Sequence, residues 1–112
     1  MIPLVEVGGG ERTTPQAVAN AMAFYAHIGK RPIQVRREIK GHIANRLQAA
    51  LWREAFHLVD QGVATVEDID TAISQGPGLR WALMGPFMNL HLSGCDGGIA
   101  HLLAHLGGPI ES

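Results

Sequence analysis

The 112-residue chain has one cysteine, Cys95, and that alone excludes an internal disulfide framework. A lone thiol suits a reducing compartment. Asp96 stands beside it and no basic residue adjoins it, so an inert thiol is expected rather than an activated one. There is no apolar run near the roughly 18 residues that cross a bilayer, so no membrane span is expected. Charge of one sign is also missing. Acids and bases are interspersed and the formal net charge is −1. No basic stripe tracks along the chain, and nucleic acid is not an expected partner. The N-terminus lacks the basic-then-apolar order of a secretory signal. Together these features point to a cytoplasmic protein. No repeat and no low-complexity tract is present, and the length suits one domain.

What is present is organised around Gly41 to Gly62, GHIANRLQAALWREAFHLVDQG. Glycine marks each end and no proline interrupts, so the run reads as one long helix. Arg46, Arg53, His57 and Asp60 fall on a narrow polar stripe. Ile43, Leu47, Ala50, Leu51, Ala55, Leu58 and Val59 fill the opposite side, and Trp52 and Phe56 sit a turn apart on a flank. More than half the cylinder is apolar. Such a helix is expected to anchor one face (Ile43, Leu47, Ala50 and Leu58) in its own domain. The Trp52, Phe56 and Val59 flank is left for a second copy of the chain, which predicts a homodimer. Asn45 is the one polar residue that breaks that flank.

In front of the long helix stand two short β-type runs, Ile2–Val7 and Pro32–Val35. A two-stranded sheet is marginal alone, which suggests that the chain begins inside a larger architecture. Thr14 and Pro15 start a first helix as N-cap and N1, and Gly29 stops it. Thr65 caps a third helix, with Glu67 and Asp68 at its positive end. Leu79 to Met84 carries no decisive period, and Trp81 there, beside Arg80 and Met84, reads as core. Gly85-Pro86 opens a further helix. A last one, Ile99 to Leu106, is expected to close at Gly107-Gly108-Pro109. The fold class is thus mainly α, about five helices around one long helix, with a β remnant at the N-terminus. Residues 1–10 read as a strand remnant of that larger architecture, and 11–112 as a helical domain. Six histidines raise a metal reading, but His101 and His105, four apart, have no third ligand at a matching spacing, so no metal site is expected.

PLVEVGGGERTTPQAV, GKRPIQVRREIKGHIANRL, GVATVEDIDTAI and GPGLRWALMGPF, in that order, resemble the 3-hydroxyacyl-CoA dehydrogenase family, in the branch that includes L-gulonate 3-dehydrogenase and carnitine dehydrogenase-like enzymes. The resemblance spans nearly the whole chain. It implies the C-terminal substrate-binding and dimerisation domain of an NAD-dependent oxidoreductase that turns a 3-hydroxyl into a 3-keto group. NAD would belong to the full-length enzyme, with no cofactor bound by this chain, because Gly8-Gly9-Gly10 does not give a GxGxxG turn between strand and helix. The resemblance further implies that Glu6, in the LVEV strand, orients a catalytic histidine lying before residue 1. It also implies that Asn45, in the GHIANR stretch, contacts substrate near the reacting carbon. His42 stands where the family carries an apolar aromatic residue. The alternative is a free-standing helical dimerisation or binding module with no redox chemistry.

Overall fold

The computed structural model describes residues 2–111, and side chains through Leu106. The elements run β1 (Leu4–Gly8), α1 (Pro15–His27), β2 (Arg31–Val35), α2 (Ile43–Asp60), α3 (Val66–Ser74), α4 (Gly78–Trp81), α5 (Pro86–Ser93) and α6 (Gly98–Glu111). A 3-10 turn over Cys95–Gly97 precedes α6. The chain is mainly α-helical, as its periodicity predicts. Two compact units divide it, Met1–His57 and Leu58–Ser112.

The first unit is built on a β–α–β crossover. β1 and β2 pair in parallel, in a register running from Leu4 opposite Arg31 to Gly8 opposite Val35. Parallel neighbours need a long connection, and α1, packed on both strands, supplies it. Thr14 opens α1 as foreseen: its hydroxyl accepts from the Ala17 amide at 3.1 Å, and Pro15 takes the first helical position, where no amide hydrogen is needed. Val7, 9% exposed, is the single buried apolar side chain among the described residues.

In the second unit α3 begins with a capping box. The Thr65 hydroxyl accepts from the Asp68 amide at 3.1 Å, and the Asp68 carboxylate accepts from the Thr65 amide at 3.2 Å. α5 and α6 pack against each other. Two buried glycines, Gly94 and Gly98, flank the turn between them, and a Cβ on Gly94 would overlap the Gly98 carbonyl. The His91 ring receives the Ile99 amide on Nδ1 at 3.4 Å, closing the start of α6.

Three expectations are corrected. The last helix does not end at Gly107-Gly108-Pro109 but continues to Glu111. Each glycine costs about 1 kcal/mol relative to alanine, which biases against a helix without forbidding one. Trp81 is not core: it is 44% exposed at the end of the four-residue α4. The face of α2 assigned to its own domain is also uncovered. The helix holds no buried residue, and Leu47 is 59% exposed.

The chain exposes more surface than compact folding of its mass requires. Two separate compact bodies, each of half this 12.0 kDa mass, would expose about 7,200 Å² together by the usual size scaling. The chain exposes 9344 Å². The excess is on the order of 2,000 Å².

Candidate functional site

The N-terminus of α2 is the point where separate parts of the first unit meet. Lys40-Gly41-His42 enters the helix through two successive left-handed residues, Gly41 at φ 87° and His42 at φ 57°. Glycine adopts that conformation freely; histidine does so at some cost. Because His42 is left-handed rather than extended, its side chain is not placed to cap the helix as serine or aspartate would. The orphan amides find an acceptor 37 residues away instead. Glu6, half-buried on β1, accepts through Oε1 from Ile43 N at 2.6 Å and from Ala44 N at 3.2 Å. The carboxylate thus lies on the positive end of the helix dipole in a charge-assisted pair of hydrogen bonds.

The two site residues named from the sequence are therefore neighbours: Glu6 holds the amides of residues 43 and 44, and Asn45 follows them. Among the described residues neither the second Glu6 oxygen, Oε2, nor the Asn45 amide has a hydrogen-bond partner. Asn45 is exposed and faces an open depression of about 540 Å³ lined by Lys40, Gly41, Asn45, Arg46, Ala49 and Trp52. Asn45, Ala49 and Trp52 follow one another at three- to four-residue spacing, so they share a face of α2, and Gly41 precedes them in the turn before the helix. Arg46 Nη1 donates to the Lys40 carbonyl at 3.4 Å, drawing the two cationic residues together at the mouth. Two cations and no carboxylate line this space, and an anion is the complementary guest.

Sequence reading missed the cap and the depression. The first had a signal: nothing in Lys40-Gly41-His42 can cap a helix, so an acceptor had to come from elsewhere. The second had a signal in the spacing of Asn45, Ala49 and Trp52, although Trp52 with Phe56 and Val59 reads in sequence as a dimer flank.

In the loop from β1 to α1 and the first turn of α1, three amides are bonded internally. Gly10 N donates to the Thr13 hydroxyl at 3.0 Å, Thr13 N to the Gly10 carbonyl at 3.1 Å and Ala17 N to Thr14. A phosphate cradle needs such amides free, and these are taken. In the second unit the His101 and His105 rings lie 4.4 Å apart, centroid to centroid, while His105 Nδ1 sits 2.9 Å from the His101 carbonyl. Among the described residues no three metal-ligating side chains gather, and no helix is long and apolar enough to cross a membrane.

Comparison with known proteins places these features. The family model for the 3-hydroxyacyl-CoA dehydrogenase C-terminal domain matches residues 41–111, and the model for the NAD binding domain of the same family matches residues 1–39. The two meet at residue 40, beside the left-handed turn into α2. The chain is 57% identical over its whole length to an L-carnitine dehydrogenase of Streptomyces coelicolor, covering 35% of that protein. It is 51% identical to the enzyme of the same name from Pseudomonas aeruginosa, over 99% of the chain and 35% of the relative. A crystal structure described as 5-formyl-3-hydroxy-2-methylpyridine 4-carboxylic acid 5-dehydrogenase, an NAD+-dependent dismutase, superposes with a TM-score of 0.82 at 38% identity. That match takes in 96% of this chain and 35% of the other. The chain spans about a third of the length of the curated relatives it matches. With both family models tiling it end to end and the LVEV strand carrying the carboxylate that caps α2, the chain belongs to the 3-hydroxyacyl-CoA dehydrogenase family.

Proposed function

We propose that this chain forms the substrate side of an NAD-dependent dehydrogenase that oxidises the 3-hydroxyl of a small 3-hydroxy acid to a ketone. The observation that carries the reading is the meeting of Glu6 with the start of α2. One carboxylate oxygen holds two helix amides while Oε2 has no partner among the described residues, and Asn45 stands next to it over an open depression. A free carboxylate oxygen at that place can hold the imidazole of a general base and balance its charge when it takes the hydroxyl proton. The Asn45 amide can donate to the oxygen that becomes the ketone. Gly8-Gly9-Gly10 lacks the GxGxxG spacing, and on this reading the NAD phosphates are held by other residues of the working enzyme. The relatives named L-carnitine dehydrogenase, at 49 to 57% identity, direct the choice of substrate to L-carnitine, a 3-hydroxy acid with a trimethylammonium group on the adjoining carbon.

A second copy of the chain is the proposed partner, seated on the Phe56 and Val59 part of the Trp52, Phe56 and Val59 flank, with the Trp52 ring left open to the depression. Phe56, 76% exposed, is the part most open to it; Val59 is half-buried, and Trp52 stands at the edge where it also lines the depression. The test of the function is kinetic. In the full-length enzyme, Asn45→Ala should lower kcat/KM for L-carnitine about 10- to 1000-fold, the usual cost of losing a contact to the reacting oxygen. An unchanged rate would remove Asn45 from the chemistry and with it this reading of the depression.

A further inference from the structure

We infer that Trp52 is the specificity residue of the α2 depression, its indole face receiving the quaternary ammonium of a zwitterionic substrate while Arg46 receives the carboxylate. This rests on the dehydrogenase reading above and goes beyond it by assigning the two charged ends of the substrate to named side chains. Trp52 is 55% exposed, and among the described residues no cation or aromatic ring stacks on it. Its face is therefore available. It stands seven residues beyond Asn45, about 10 Å along the axis at 1.5 Å per residue. Helical side chains lean toward the N-terminal turn, which brings the indole back over position 49. Position 49 is alanine, whose single methyl leaves room between Asn45 and the ring.

The chemistry of the guest fits that spacing. In L-carnitine the hydroxyl carbon lies two bonds from the ammonium nitrogen and two bonds from the carboxyl carbon. A hydroxyl held at Asn45 leaves the ammonium within the roughly 6 Å over which an aromatic face attracts a cation. The carboxylate then points to the mouth, where Arg46 and Lys40 are the only charged residues of the lining. A quaternary ammonium donates no hydrogen bond, so a π face suits it better than a polar acceptor, and the cationic mouth keeps it from binding in the reverse sense.

The test uses the full-length enzyme and two substrates of one shape, L-carnitine and 3-hydroxy-5,5-dimethylhexanoate, in which carbon replaces the charged nitrogen. The wild type should prefer L-carnitine in kcat/KM. Trp52→Leu should lower that preference about 5- to 30-fold, the range expected for a cation–π contact, and Trp52→Phe should keep most of it. Arg46→Leu should weaken both substrates alike, because the carboxylate is common to them. Calorimetry with γ-butyrobetaine, which has both charges and no hydroxyl, should show the same ranking of variants without turnover. Equal losses on the two substrates in Trp52→Leu, with helical circular dichroism retained, overturn the assignment. So does faster turnover of 3-hydroxybutyryl-CoA than of L-carnitine by the wild type, a result that would leave the dehydrogenase reading standing. Failure to oxidise any 3-hydroxy acid with NAD would instead remove the dehydrogenase reading, and this assignment with it.

Discussion

Removing the Glu6 carboxylate should loosen the start of α2 before it affects anything else. Two amides, Ile43 N at 2.6 Å and Ala44 N at 3.2 Å, depend on Glu6 Oε1, and no residue of Lys40-Gly41-His42 replaces it as an acceptor. Loss of a cap costs about 0.5–2 kcal/mol, and loss of a negative charge from the helix N-terminus about 0.3–1 kcal/mol more. Glu6→Ala loses both and should cost roughly 2 kcal/mol locally; Glu6→Gln keeps an acceptor oxygen and should cost about half of that. Amide hydrogen exchange in the full-length enzyme reads this directly, since local opening is measured residue by residue. Protection at Ile43 and Ala44 should fall about 30-fold in Glu6→Ala, which is what 2 kcal/mol corresponds to, and several-fold in Glu6→Gln. Unchanged protection at those two amides in Glu6→Ala would refute the cap. The double use of Glu6 also changes how its kinetics are read. A drop in turnover in Glu6→Gln combines a misheld base with a frayed helix under Asn45, and only the exchange data separate the two.

Gly94→Ala should break the packing of α5 on α6, because the new Cβ overlaps the Gly98 carbonyl; thermal unfolding should shift down by several degrees for a cost of about 2 kcal/mol or more. Thr65→Ala removes one arm of the α3 capping box and should cost about 1 kcal/mol in chemical denaturation, with activity unchanged. Phe56→Glu should convert the full-length enzyme from a dimer to a single chain by light scattering if the flank of α2 seats the second copy; a retained dimer would place the interface elsewhere. The isolated 112-residue chain should form no NADH from L-carnitine and NAD, since its glycine run lacks the GxGxxG spacing that seats a dinucleotide; steady NADH formation would contradict that.

Local chemistry was the legible part of this chain. Thr14-Pro15 and Thr65 marked two helix starts because caps act within three residues, and the two strands stood out as β-branched runs bounded by glycine and proline. What could not be read was anything set by residues distant in sequence. Glu6 reaches Ile43 only because β1 pairs with β2 and the chain then turns left-handed at Gly41 and His42, a path that no residue spacing encodes. The missing cap before Ile43 did predict that some acceptor would arrive, without saying which. The same division explains the long helix. Periodicity sorted its residues correctly into apolar and polar, but an apolar stripe records only that burial occurs, not which polypeptide performs it. Leu47 and Phe56, 59% and 76% exposed, are helix residues that the described residues leave uncovered. For Trp52 the same apolar spacing has a different explanation. It continues the line of Asn45 and Ala49, and a ring that borders a depression beside two cations looks, in sequence, just like a ring waiting for a partner helix.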